Sequence, residues 1–322
     1  MRILVTGGAG FIGSHFVRSL LLGADRDPAA QVTVLDKLTY AGNLANLQSV
    51  EGSYTFVHGD LCDAGLLRTV VPGHDLVVNF AAESHVDRSI EGAADFVHSN
   101  VLGVQTLMEA CLAAGTPRVV HVSTDEVYGS IETGSWDESA PLSPNSPYAA
   151  SKAGGDVLAL SYARTHGLPV LLTRCGNNYG PHQYPEKVIP LFVTRLTDGR
   201  KVPLYGDGGN VRDWIHVDDH CRAIRLAAEL GEPGEVHHIA GTAELTNLEL
   251  TERLLAATGS GWERVERVTD RKGHDRRYSL DDSRLRALGY RPRVGFDEGL
   301  AETVAWYTAN RDWWEPLLKR SQ

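Results

Sequence analysis

Tyr148 and Lys152 lie four residues apart in SPYAASKAG, a spacing that puts both side chains on one face of a helix, one turn from each other. A phenol titrates near pH ~10 and is a weak base at neutrality. A neighbouring ammonium favours its phenolate, so the pair suits removal of a proton from an alcohol while hydride leaves the same carbon. Lys152 is also placed to hold a nicotinamide ribose. Just upstream, VVHVSTDEVYG ends an apolar run in Ser123, Thr124, Asp125 and Glu126. A hydroxyl and two carboxylates beside a Tyr/Lys pair make an acid–base site with more groups than alcohol oxidation requires. Successive side chains diverge on an extended strand, so both carboxylates reach one substrate if the chain turns directly after it.

Several elements must position these groups. Val119–Val122 reads as a buried strand. Pro147 suits the first position of a helix over Pro147–Thr165, with Ser146 or Asn145 as its cap. At the N-terminus, the strand Arg2–Thr6 meets Gly7-Gly8-Ala9-Gly10-Phe11-Ile12-Gly13 and then a helical pattern through Leu22. Glycines 7, 10 and 13 between strand and helix allow a tight turn, close backbone approach to a pyrophosphate and an open helix N-terminus. A second strand, Gln31–Leu35, ends in Asp36, where a dinucleotide fold places the acid that holds the adenosine ribose. An acid there repels a 2′-phosphate, which favours NAD over NADP, with Lys37 as the contrary charge.

Strands at Thr55–Val57 and Asp75–Phe80 lead into Gly59-Asp60-Leu61 and Ala81-Ala82-Glu83-Ser84-His85. A helix over Ala93–Ala113 and a strand over Leu168–Thr173 follow. This alternation predicts an α/β protein with a Rossmann-like doubly wound parallel sheet covered on both faces. Residues 1–180 form its NAD-binding Rossmann domain and carry the catalytic residues. Beyond Pro181 the segments shorten and gain Pro, Gly and Arg. They predict a smaller, interleaved α/β substrate-binding C-terminal domain over 181–322, with some segments returning to the sheet. Its elements are a helix from Asp218 to Leu230, strands at Val236–Ala240 and Val265–Val268, a helix capped by Thr246-Asn247, and a helix over Phe296–Asn310.

A net charge of −10 over 322 residues argues against nucleic acid or an anionic membrane as the main partner. Cys62, Cys111, Cys175 and Cys221 are scattered, which excludes a CxxC motif and fits a reducing compartment. RILVTGG runs straight into a core strand with no charged leader, so the expected location is cytoplasmic. His216-x-x-x-His220 has metal-ligand spacing but spans a helix start capped by Asp218 and lacks a following Glu. No metal site is expected. Trp306, Trp313 and Trp314 read as a packing stripe.

GGAGFIG, Asp36, AAES, STDEVYG, YAASK and NNYGP together resemble the extended short-chain dehydrogenase/reductase family from Met1 to about Tyr307, and within it the nucleotide-sugar 4,6-dehydratases. The resemblance implies NAD as cofactor, dTDP-glucose as substrate and a place in deoxysugar biosynthesis. The discriminating stretch is Thr124-Asp125-Glu126. An epimerase needs a hydroxyl with Tyr and Lys, whereas loss of water also demands an acid for the leaving hydroxyl and a base for the adjacent C–H. The implied roles follow. Tyr148 deprotonates the sugar 4-hydroxyl, oriented by Thr124. Glu126 removes the C5 proton, and Asp125 protonates the departing 6-hydroxyl. Hydride then returns to C6, so NAD is retained.

The same resemblance carries cofactor contacts onto Gly7, Gly10, Phe11, Ile12, Gly13, Asp36, Lys37, Leu38, Thr39, Asp60, Leu61, Ala81, Ala82, Ser84, Ser99, Tyr148, Lys152 and Asn178. Substrate contacts fall on Ser84, Thr124, Asn177, Lys187, Val188, Arg212, Asn247, Arg271 and His274, with the nucleoside near Pro203 and Tyr205. A homodimer is implied through the Ala93–Ala113 and Pro147–Thr165 helices, which carry apolar residues on more than one side. The alternatives are an NAD-dependent nucleotide-sugar 4-epimerase, a dehydratase of another nucleotide sugar, and a non-catalytic NAD-sensing scaffold.

Overall fold

In the computed structural model, which describes residues 1–23, 26 and 28–320, short runs rich in β-branched residues form one seven-stranded sheet. Its strands are β1 (Arg2–Thr6), β2 (Gln31–Asp36), β3 (Tyr54–His58), β4 (Leu76–Asn79), β5 (Val119–Thr124), β6 (Val170–Cys175) and, late in the chain, β10 (Val236–Ile239). The order is β10-β6-β5-β4-β1-β2-β3 and every pairing is parallel. The order reverses between β1 and β4, and ligands of such sheets bind beyond the strand carboxyl ends at that point.

Alternate strand residues feed opposite faces. Ile3, Val5, Val78 and Val120 pack with Phe16 and Ile224 on one side. Leu4, Val77, Val119 and Val170 pack with Leu107 and Met108 on the other. Burial of side chains this size stabilises the fold by about 1.5–3 kcal/mol each, which holds the strand ends in fixed register.

The helix after β5 spans Pro147–His166, with Ser146 Oγ accepting the Ala149 N–H at 3.1 Å and Gly167 ending it in the left-handed region. The helix expected over Ala93–Ala113 differs. It runs Ala94–Val97, loosens into one π-turn at His98–Leu102, and continues as Gly103–Ala114. Asn100 on that turn is buried, accepting the Glu83 N–H and donating to Glu83 O and Ser151 Oγ. Apolar periodicity carries no sign of such a polar tie.

The remaining strands form two small sheets. β7 (Asn177–Tyr179), β9 (Val211–His216) and β11 (Ala243–Thr246) make one, and β8 (Val202–Tyr205) pairs with β12 (Val265–Val268) in the other. The Asn247–Ala257 helix opens with a capping box between Thr246 and Glu249. Tyr179, Phe192, Trp214, Phe296, Tyr307 and Trp314 form a third core beneath these sheets. Trp313 joins its edge and donates its indole N–H to Asn46 Oδ1 at 3.0 Å. Among the described residues no helix is long and apolar enough to cross a membrane, and the four cysteines are free thiols.

Candidate active site

Backbone fit defines the cradle after β1. Gly7 has φ +67°, and a Cβ there would lie 2.5 Å from the Ala81 amide nitrogen; one on Gly13 would lie 2.3 Å from Gly7 O. Both glycines keep open a space that a side chain would fill, and Gly10 caps the Phe11–Leu21 helix from extended backbone, leaving its first-turn N–H groups for an anion. Asp36 Oδ2 accepts the Ala9 N–H at 3.0 Å and Oδ1 the Leu38 N–H at 2.8 Å. Burial pushes its carboxyl up, against the pull of those two amides. Lys37 donates to Ser99 Oγ at 3.0 Å and lies 3.5 Å from Asp60 Oδ2, so the charge contrary to NAD is already engaged. The donor set fits a dinucleotide without a 2′-phosphate. All the expected cofactor residues line this cavity except Leu38. Leu38 instead takes a left-handed turn at φ +54° and contributes its amide to Asp36.

The chain does turn directly after β5. Asp125–Tyr128 is a 3-10 turn, with Thr124 Oγ1 accepting the Glu126 N–H at 3.2 Å and donating to Asp125 Oδ1 at 3.1 Å. Both carboxylates therefore line the cavity that Tyr148 and Lys152 also line. Their surroundings differ. Asp125 is pushed well above the usual carboxyl range by burial, then by the charges of Glu126 and Asp213. Glu126 is also raised by burial, but Arg271, Arg212 and Lys187 pull against it. Acid and base assignments come from environments of this kind, which separate two carboxyls.

Tyr148 departs from expectation. Burial, followed by Glu126, Cys175 and Asp125, holds its phenol well above its ordinary value, and a hydrogen bond with Thr124 opposes this. Lys152 donates to Val122 O at 2.7 Å, and burial lowers its own value. Burial and the acidic groups around the phenol, rather than the lysine, set the direction of its shift.

A second cavity adjoins the first, with Ser84, Glu126, Asn177 and Lys187 lining both. Val188, Pro203, Tyr205, Arg212, Asn247, Arg271 and His274 complete the expected substrate residues in it, while Thr124 lines the first. Arg212 stacks 4.3 Å over the Tyr278 ring and donates to Asp275 O at 3.0 Å. Lys187 Nζ donates to Ser84 O at 2.8 Å, and Arg271 lies 3.7 Å from Asp87. Three cations converge on Glu126 in an acidic chain, as an anionic ligand requires.

The family described as GDP-mannose 4,6 dehydratase matches residues 4–303. A dTDP-glucose 4,6-dehydratase from Actinoplanes sp. is 62% identical over 319 residues, covering 98% of this chain and 100% of that protein. The chain belongs to the nucleotide-sugar 4,6-dehydratases. The crystal structure of DesIV, a dTDP-glucose 4,6-dehydratase from Streptomyces venezuelae with NAD bound, is similar to it at a TM-score of 0.97 and 64% identity, covering 98% of this chain and 100% of that one. A UDP-glucose 4-epimerase from Thermotoga maritima is also similar, at a TM-score of 0.89 and 32% identity over 97% of this chain and 100% of that one. Backbone shape is thus shared between dehydratases and epimerases.

One further sequence reading of this dehydratase chain, the cap of the helix near Asp218, resolves differently. His216, not Asp218, caps the helix Val217–Leu230, its Nδ1 accepting the Asp218 N–H at 3.4 Å. His220 Nδ1 meets Asn178 Oδ1 at 2.7 Å. Trp306 and Trp313 pack around His182. Sequence reasoning missed Cys175, Gln183, Tyr184 and Glu186, which line the first cavity, and Asp213, which acts on Asp125 from β9. Nothing local marks them, since each lies far along the chain from the group it serves.

Proposed function

We propose that this dehydratase converts dTDP-glucose to dTDP-4-keto-6-deoxyglucose and water as a step of deoxysugar biosynthesis, with NAD retained through the cycle. The observation that carries this is the turn after β5, which presents Asp125 and Glu126 to the cavity shared with Tyr148 and Lys152. Bound NAD supplies the acceptor for hydride from C4, the donor that returns it to C6, and a positive charge that offsets what raises the Tyr148 phenol. Tyr148 takes the 4-hydroxyl proton while Thr124 orients that hydroxyl and Lys152 holds the ribose side. The resulting 4-keto group acidifies C5. Glu126, favoured as a carboxylate by Arg271, Arg212 and Lys187, removes the C5 proton. Asp125, kept protonated by burial among acids, gives its proton to the 6-hydroxyl, which leaves as water. Glu126 then returns a proton to C5 as hydride reaches C6.

Residues 1–180 serve the cofactor, and 181–322 mainly serve the nucleotide sugar. Lys187, Arg212 and Arg271 hold the diphosphate, with Ser84, Asn177, Val188, Asn247 and His274 around the sugar side and Pro203 and Tyr205 at the nucleoside. The cofactor contacts are those expected from sequence, with Leu38 acting through Asp36. Val97, Leu102 and Val157 are large, apolar and exposed on the helices around Ala94–Ala114 and Pro147–His166, which supports a homodimer through these helices. A cytoplasmic location agrees with the free thiols.

The test is to supply dTDP-glucose deuterated at C4 to the purified protein without added NAD. Deuterium at C6 of a 4-keto-6-deoxy product is expected, and Tyr148→Phe lowers kcat by about 10²–10⁴-fold. Inversion at C4 with C6 untouched would make the protein an epimerase and remove the roles of Asp125 and Glu126. Turnover of UDP- or GDP-sugars alone would keep the chemistry and overturn the nucleotide.

A further inference from the structure

Three separate stretches of chain contribute to the lining of the cofactor cavity: Thr39, Ala41 and Gly42; Glu83 and Ser84; and Tyr184, Glu186 and Lys187. Side chains that none of the roles above uses tie them into a ring. Tyr40 Oη donates to Glu186 Oε1 at 2.9 Å. The Tyr40 ring meets that of Tyr184 edge-on at 5.4 Å. From the residues that follow Ser84, the Arg88 guanidinium lies 3.8 Å over the Tyr40 ring and 3.3 Å from Glu186 Oε2, and His85 Nε2 lies 3.5 Å from the same oxygen. Glu186 is thus the common partner of both other stretches, and it lines both cavities.

Each jaw is rooted in a rigid part of the fold. The first is a tight turn that leaves Asp36 through Leu38 in the left-handed region and returns to the glycine cradle, where the Asn43 N–H donates to Ala9 O at 3.0 Å. The second begins at His182, also left-handed at φ +70°, and is anchored by Tyr184 Oη donating to Leu317 O at 3.3 Å. Between these roots, the jaws meet through a hydrogen bond to a carboxylate and a stacked cation, contacts stronger than neutral surface ones.

We propose that Tyr40 and Glu186, with Arg88 clamped between them, form a clasp that closes the cofactor cavity and slows release of NAD. The proposal rests on the reading of this cavity as an NAD site and supplies its retention with a physical cause. Substrate and product pass through the second cavity, so the clasp stays shut through turnover and opens when cofactor leaves.

The experiment loads the purified full chain with radiolabelled NAD, removes free cofactor, and follows release into excess unlabelled NAD without sugar nucleotide. Tyr40→Phe keeps the ring and removes the donor, and its expected release is roughly tenfold faster than the parent's. Tyr40→Ala, which also removes the seat for Arg88, releases faster still. Glu186→Gln tests the opposite jaw, and combining it with Tyr40→Phe adds little, because both break one contact. Activity lost on desalting the Tyr40→Phe protein returns on adding NAD. Release at the parental rate from Tyr40→Phe and Glu186→Gln overturns the proposal, as does a lowered Tm without faster release. Because release is measured without substrate, faster release from a protein inert toward dTDP-glucose would support the clasp while the dehydratase reading failed.

Discussion

At the cofactor end of the cleft, residues 7–13 are contiguous and act mainly through backbone shape, with Asp36 held by two amides. At the second cavity, the proposed substrate end, Lys187, Arg212, Asn247, Arg271 and His274 come from separate segments of the chain. The first end has close approach and one engaged cation; the second has several cations focused on one carboxylate. Such a division suits the chemistry. A cofactor that stays needs a rigid, shape-matched seat, whereas a charged substrate that comes and goes is better held by side chains that can shift.

The comparison breaks most visibly at Gly13. A Cβ there would lie 2.3 Å from Gly7 O, so backbone must move in a place with no slack. Gly13→Ala lowers NAD affinity by about 100-fold, read by titrating stripped protein with NAD, while the far-UV spectrum stays parental. Normal NAD affinity would show that the cradle does not depend on that approach.

At the other end, Arg271→Ala raises KM for the sugar nucleotide by roughly tenfold and leaves NAD content unchanged. It also removes the cation that lowers Glu126 most. The working base is the deprotonated form, so the acid limb of the pH profile moves to higher pH. Loss of NAD from this variant would erase the division between the two ends.

The smallest effect sharpens the line between them. Asp213 accepts the Gly241 N–H at 2.6 Å, and burial pushes its carboxyl from 3.8 to about 7. The folded state therefore binds more protons than the unfolded one between those values. Its contribution to stability is present below about pH 4 and lost as pH rises through about 7. Asp213→Asn flattens that decline, read from urea titrations at acid and neutral pH. The same change removes a charge that raises Asp125, so the alkaline limb of activity, where the acid loses its proton, moves down by about half a pH unit. Unchanged slope and limb would remove Asp213 from the account.

Legibility followed the distance between cooperating residues. The glycine turn, Asp36 and the Tyr148/Lys152 helix were readable because their geometry is set within a few residues by φ freedom, a cap and a helical spacing. The π-turn at His98–Leu102 was not, because Asn100 is drawn inward by Glu83 and Ser151. The helix cap at His216 was misread for a simpler reason, as Asp is the commoner cap and stands two residues later. The behaviour of Tyr148 was misjudged because its phenol answers to burial and to carboxylates on another element, whereas the helix shows its lysine alone.

From its sequence alone, this chain determines an alternating α/β fold, a dinucleotide turn that prefers NAD, and an acid–base set beyond the needs of alcohol oxidation. These follow from periodicity, steric freedom and residue chemistry, which act over short stretches. Tertiary structure alone decided that the chain turns after Thr124 so that both carboxylates share a cavity with Tyr148. It also decided that Asp125 lies among acids and Glu126 among cations, and that Tyr40 meets Glu186, 146 residues further along the chain. Desolvation and Coulomb interactions depend on distance in space, and the fold alone sets those distances between residues far apart along the chain.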